Sequence, residues 1–360
     1  MSDENVSAVP SRRLVSLDAF RGATVAAMLL VNNPGTWSAV WKPLRHAEWH
    51  GWTPTDFIFP FFLFVVGITT ELSKKDPRGI IRRGALIVLA GLLLNAFPFT
   101  LERFERLRLS GVLQRIGVVY IAAAFIARWC ELQKYRTKAL RLALAVAVLL
   151  FGYWGLLSLG PLEPPEATIA AAVDRAVLGP NHIWKGGKTW DPEGPLSTIP
   201  AIATALLGVA AAPLVVRRRL GAMTVAGGGA IALGWVWGFL FPINKNLWTS
   251  SYVVFTAGWA LLVLALFIWI IDVRGRQAWS RPFVIFGINP LIAFLGSGLM
   301  ARLLGMIKVD GVALQAWSYR LLFKPHFEPM LASFLWALSF VLVWLAILWI
   351  FARRGWVVKV

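Results

Sequence analysis

Long apolar stretches, broken at intervals by short polar and basic segments, run the whole length of the chain. Each stretch is about 20 residues, the length a helix needs to cross a hydrocarbon layer, so the pattern predicts spanning helices. Ten are expected. In the first half they run approximately Leu14 to Val31, Phe57 to Leu72, Ala85 to Phe99, Gly111 to Ala127 and Leu140 to Leu159. In the second half they run approximately Leu196 to Val216, Gly221 to Leu240, Tyr252 to Ile271, Phe283 to Leu304 and Met330 to Ala352. The expected fold is all-α, a polytopic membrane helix bundle of about ten transmembrane helices.

Composition agrees with this pattern. Of 360 residues 58% are hydrophobic and 15% charged, whereas soluble chains carry about 25% charged residues. The net charge of +18 would suit nucleic acid if it formed one stripe, but the basic residues sit in clusters between apolar runs, so no nucleic-acid partner is expected. Their distribution reports orientation instead. Lys74 to Arg83, Arg128 to Arg141, Arg217 to Arg219, Arg274 to Arg281 and Arg353 to Lys359 all fall on alternate connections. The positive-inside rule then puts both termini in the cytoplasm, with the bilayer as partner.

Met1 to Arg13 begins with acids and has no secretory cleavage pattern, so it reads as a cytoplasmic tail. Residues 14–352 read as one transmembrane domain and 353–360 as a second tail. The lone Cys130 cannot form an intramolecular disulfide.

Candidate chemistry collects on the side away from the cytoplasm. All four histidines, His46, His50, His182 and His326, fall in outward segments. His46 and His50 are four apart, but HAEWH displaces the acid from its place in the HExxH zinc pattern and Pro54 limits any helix, so no metal is expected. Asp56 has a plain reading as a helix cap beside Thr53 and Thr55. Asp18 and Arg21, three apart, can pair on one face of the first span. Gln114 and Arg115 lie inside the fourth span, where a guanidinium is costly, and should face the bundle interior. The outward segment from Asp174 to Pro200 mixes acids, tryptophans and glycines; aromatic faces beside acids suit an amino sugar, although tryptophans also form interfacial belts.

Four motifs in order resemble the heparan-alpha-glucosaminide N-acetyltransferase family. They are SLDAFRG (Ser16 to Gly22) with VNN (Val31 to Asn33), HAEWHGWTPTDFIFPFFLFVVG (His46 to Gly67), GVLQRIGVVY (Gly111 to Tyr120), and DPEGPLSTI (Asp191 to Ile199) with PINKNLWTSSYV (Pro242 to Val253). The resemblance implies acetyl-CoA as co-substrate, with His46 catalytic and Asn32 beside it at the transfer centre. Asp56, Asp18, Arg21, Gln114 and Arg115 would support them, and Trp49, Asp191, Glu193, Asn244, Asn246 and Trp248 would meet the acceptor. It also implies a homodimer, and a small glucosamine compound as the expected acceptor.

The chemistry of the residues fits that implication. An amine attacks a thioester only as the free base, and imidazole is suited to taking its proton. His46 would serve either as that base or as an acetyl carrier. Asn32 would donate to the developing oxyanion. The phosphates of cytoplasmic CoA would meet Arg82, Arg83 and Arg141, which the positive-inside rule explains equally well. A secondary transporter of sugars or amino sugars is the alternative, since many spans with interior polar residues are also what transporters show.

Overall fold

A computed structural model describes residues 14–73, 75–131 and 135–358, the side chains of residues 135–137 apart. The expected tail Met1 to Arg13 lies outside them, as do Lys74 and the last two residues of the C-terminal tail. Fourteen α-helices form among the described residues. They are α1 (Val15–Asn32), α2 (Ile58–Ser73), α3 (Pro77–Ala96), α4 (Leu101–Glu105), α5 (Val112–Glu131), α6 (Tyr135–Leu157) and α7 (Ile169–Leu178). There follow α8 (Pro195–Val216), α9 (Leu220–Trp237), α10 (Ser250–Phe267), α11 (Arg281–Ile288), α12 (Pro290–Met306), α13 (Leu314–Leu322) and α14 (Pro329–Arg353). Two antiparallel two-residue strands, Lys308–Val309 and Val312–Ala313, form a ribbon before α13.

Among the described residues nine helices are long and apolar enough to cross a membrane, and a tenth crossing is supplied if α11 and α12 count as one broken span. The protein is an all-α, multi-pass membrane bundle. Its surface fits that solvent: Leu140, Leu144, Val148 and Phe151 share one face of α6 and are each more than half exposed, a stripe that would be a liability in water and is ordinary against lipid.

The interior is organised around α8, whose Ala201, Ala205, Leu206 and Val209 are buried. α2 crosses it at backbone contact. A Cβ on Gly67 would lie 1.8 Å from the Ala205 carbonyl oxygen, and one on Gly208 would lie 2.0 Å from that of Phe64. Only glycine allows such an approach, which in a bilayer replaces the hydrophobic drive with packing.

Two expected spans differ in form. The third is expected at Ala85 to Phe99, but α3 starts eight residues earlier, because the Asp76 side chain accepts from Gly79 N–H at 3.2 Å and Pro77 occupies the first helical position. Apolarity marked the lipid-facing part of the helix and not its start, so Arg82 and Arg83 are helical. The ninth, Phe283 to Leu304, is bent by 75° between α11 and α12. Pro290 removes an N–H and pushes Asn289 out of helical geometry (φ −124°, ψ 56°), which breaks the span.

Candidate active site

The loop after α1 folds back over the start of α2. Thr53 and Asp56 form a reciprocal capping box on the 3-10 turn Pro54–Phe57: Asp56 Oδ2 accepts from Thr53 N–H (2.9 Å) and hydroxyl (3.1 Å) and from Ala47 N–H (3.1 Å). Its other oxygen, Oδ1, lies 2.6 Å from His46 Nδ1. The capping and the functional readings of Asp56 therefore hold together, since each oxygen has its own task. Asp56 is buried at 1% exposure, while the His46 side chain is 44% exposed. An Nδ1–H donated to the carboxylate leaves Nε2 with its lone pair free to accept a proton. Tyr252 donates to the Asp56 carbonyl at 2.5 Å and fixes the turn from α10.

His50, four residues on, points to other partners. Its Nδ1 meets the Asn244 amide at 3.2 Å and its Nε2 lies 3.7 Å from Glu163. Burial lowers its pKa, against the pull of Glu163. Asn244 is fully buried and accepts from Leu247 N–H at 2.8 Å, so it ties the loop before α10 to the histidine loop. Asn246 is half-buried in the same loop. Trp49 donates to the Leu162 carbonyl at 2.9 Å and packs edge-on against Trp190 at 5.1 Å.

Asp191 and Glu193 both meet Arg108, which the spacing of the sequence did not single out. Arg108 forms a two-pronged contact with Asp191 (2.8 and 2.5 Å) and reaches Glu193 at 2.5 Å. Burial works against each charge, but the pairing wins: the Arg108 pKa is raised and that of Asp191 lowered. Asp174 lies beneath, accepting from Asp191 N–H at 2.8 Å, and burial pushes its pKa up to about 6. Arg115 is buried at 2% exposure, donates to Ser197 and stacks 5.0 Å over Trp248. Trp248 is itself fully buried, donating to Thr204 at 3.1 Å, so it supports the site from below instead of forming a wall.

Lys245 is a second residue the sequence did not single out. It is half-buried, feels both Asp56 and Glu193, and has no ion pair within 4 Å among the described residues; burial lowers its pKa. The available signal was its position between the two asparagines of PINKNLW. For Arg108 the signal was weaker, because only the fold brings a residue before α5 to one 83 positions later.

Two cavities follow α1 from end to end. The one at the N-terminal half of α1, called the inner chamber, is about 610 Å³ and is lined by Asp18, Arg21, Lys75, Arg83, Ile87, Ile116 and Leu291 among others. The one at the C-terminal end of α1, called the outer chamber, is about 410 Å³ and is lined by Asn32, Asn33, Asn95, Arg108, Gln114 and Arg302 among others. Met28, Leu113 and Phe294 line both, so these apolar side chains form a wall common to the two chambers. Arg21 pairs with Asp18 at 2.6 Å and donates to the Gly287 carbonyl of α11. Of the three arginines expected to hold CoA, Arg83 lines the inner chamber, 5.0 Å over Tyr120. Arg82 is exposed and Arg141 stacks on Trp129, neither of them lining the chamber.

At the far end Asn33 caps α1, its amide donating to the Leu29 carbonyl at 2.8 Å. Asn32 is thereby relieved of that task and lies exposed on the outer chamber. No hydrogen bond joins Asn32 to His46, and His46 is not among the residues lining the chamber.

The mouse (Mus musculus) heparan-alpha-glucosaminide N-acetyltransferase is 28% identical over 354 aligned positions, 79% of this chain and 53% of the relative. The human (Homo sapiens) protein of that name is 29% identical over 360 positions, 81% of this chain and 53% of the relative. The chain thus spans about half the length of the curated relatives it matches. The family model described as heparan-alpha-glucosaminide N-acetyltransferase, catalytic, matches residues 13–229, a region that contains α1, the His46–Asp56 pair, both chambers' α1 and α5 walls and the Arg108–Asp191 pair. Since that match takes in more than half of the sequence, the chain belongs to the heparan-alpha-glucosaminide N-acetyltransferase family.

Proposed function

We propose that this protein transfers an acetyl group from cytoplasmic acetyl-CoA to the amine of a glucosamine-type sugar on the opposite face of the membrane. The observation that carries the proposal is the contact between His46 Nδ1 and Asp56 Oδ1 at 2.6 Å, which orients an imidazole with Nε2 available as a base. The chambers along α1 supply the donor side of the same reading. Arg21, Lys75 and Arg83 suit the phosphates of CoA in the inner chamber. From Arg21 to Asn32 the helix climbs about 16 Å at 1.5 Å per residue, a span comparable with an extended pantetheine arm.

In this proposal the amine attacks the thioester carbon, and its proton passes to His46 Nε2. Asn32 donates to the carbonyl oxygen as it gains charge. Collapse of the tetrahedral adduct expels the CoA thiolate, which takes a proton in turn. Trp49 and Trp190 offer apolar faces to the sugar. Asp191 and Glu193, both held by Arg108, act through that network.

The test is acetyl transfer by purified protein across a panel of glucosamine sugars, with product read by mass and free CoA by thiol titration. Transfer that His46→Ala abolishes supports the reading. The end-to-end chambers and the broken span also favour a transporter. Uptake of unmodified sugar without acetyl-CoA would favour that alternative.

A further inference from the structure

Beyond α14 the chain turns back on the bundle. The helix ends in a Schellman turn, in which Gly355 takes φ +67° and donates to the Ala352 carbonyl at 3.2 Å, while Trp356 N–H reaches the Phe351 carbonyl at 2.9 Å. The Trp356 and Phe351 rings, edge-on at 5.3 Å, add the apolar contact that accompanies such turns. Val357 and Val358 follow, and both line the inner chamber together with Ile288 and Pro290.

One side chain fixes this segment. Asn289, at the break between α11 and α12 and only 1% exposed, donates from Nδ2 to the Trp356 carbonyl at 2.9 Å and accepts at Oδ1 from Val358 N–H at 2.9 Å. Asparagine at a helix N-cap ordinarily spends its side chain on that helix, but Asn289 makes no such bond to α12. Its carboxamide is given over to residues 67 and 69 positions away. The break is anchored in turn on α1: Arg21 donates to the Gly287 carbonyl at 3.0 Å, and a Cβ on Gly287 would lie 2.0 Å from the Asp18 carbonyl oxygen. Asp18 and Arg21 line the same chamber, so α1, the broken span and residues 356–358 make one connected wall.

We propose that Asn289 is a positioning residue for the donor site, seating Trp356–Val358 as a strap so that Val357 and Val358 close the inner chamber around the uncharged part of acetyl-CoA; this rests on the acetyltransferase reading above. Arg21, Lys75 and Arg83 offer charge to the phosphates, whereas the two valines, 47 and 44% exposed, offer apolar surface for a ligand to cover. The break in the span serves this arrangement, because residue 289 leaves helical geometry there and its side chain reaches the backbone of another segment. A transport cycle is then not needed to account for the break.

The test measures acetyl-CoA binding directly, with turnover and melting temperature beside it. It compares wild type with Asn289→Ala, which removes both clamping bonds, with a chain stopped after Trp356, which removes both valines and leaves α1 to α14 untouched, and with the two changes combined. Covering two half-exposed valines corresponds to about tenfold in affinity. The expected result is a rise of about tenfold or more in the acetyl-CoA Kd and KM of both single variants, with kcat at saturating acetyl-CoA within about threefold of wild type. The combined variant should bind little worse than the shortened chain alone, because the clamp acts through the strap. A Kd within about threefold of wild type in either single variant that keeps its melting temperature overturns the proposal and leaves the acetyltransferase reading standing. So do effects that multiply in the combined variant, which would make Asn289 act on its own, and so does weaker binding that follows a lost melting temperature in both single variants. Wild-type protein that binds no acetyl-CoA overturns the donor reading, and this inference with it.

Discussion

Asp56→Asn is a single-atom change whose outcome the geometry determines. Asp56 Oδ2 receives three donors, from Ala47 N–H and from the N–H and hydroxyl of Thr53. An amide nitrogen there would face two backbone N–H groups at about 3 Å, leaving buried donors unpaired at about 1–3 kcal/mol each. The asparagine oxygen must therefore keep that place, and its NH2 takes the place of Oδ1, facing His46 Nδ1. The imidazole can then only accept at Nδ1 and must carry its proton on Nε2, the nitrogen that should be free. The base is lost while the fold is kept. General-base catalysis is worth about a hundredfold to ten-thousandfold, so kcat should fall by that factor, equivalent to about 2.7–5.5 kcal/mol in the barrier. Because the capping contacts survive, stability should change by less than about 1 kcal/mol. Turnover with acetyl-CoA and glucosamine, measured beside melting temperature on the same preparations, checks both. Activity within about threefold of wild type, or a loss of activity that follows a loss of stability, refutes the reasoning.

Asn32→Ala should lower kcat about a hundredfold to a thousandfold with little change in acetyl-CoA affinity; parallel losses of turnover and melting temperature would return Asn32 to a capping role, which Asn33 fills in the structure. Arg83→Ala should raise the acetyl-CoA KM about tenfold at nearly unchanged kcat, the size of one lost charge-assisted contact, and an unchanged KM would remove Arg83 from the donor site. Cysteines placed near Trp49 or Trp184 should react with an impermeant reagent in intact cells, and one placed near Arg276 only after the inner face is opened, with buried Cys130 giving little background. Asp174 adds a pH dependence whose sign is fixed: its pKa is about 6 when folded and 3.8 as a free group, so it contributes stability at low pH that is lost as pH rises from about 4 to 6. Asp174→Asn should remove that component, about 3 kcal/mol at most, and parallel melting profiles for the two proteins across pH 4 to 7 would refute it.

Much of this architecture was legible because lipid imposes a simple code. Apolar length located the spans, and charge placement would orient them. What remained hidden was set by local backbone chemistry. The Asp76–Pro77 pair starts α3 well before its apolar run, and Asn289–Pro290 breaks a span whose hydropathy is continuous. The candidate site divides in the same way. His46 and Asp56 are ten residues apart, and the capping box that joins them is readable in TPTD. Arg108 and Lys245 were not, because the carboxylates they meet or feel are distant in sequence and a basic residue in a loop also satisfies a topology rule. The division of labour between Asn33 and Asn32 could not be read from adjacent identical residues; it depends on which side of α1 each faces.

The most direct test of the central claim uses proteoliposomes with acetyl-CoA sealed inside and glucosamine supplied outside. The account predicts N-acetylated sugar in the outer medium and an equal amount of free CoA in the lumen, with neither formed by His46→Ala. Unmodified sugar accumulating in the lumen, or acetylated product that His46→Ala still forms at the wild-type rate, would contradict it.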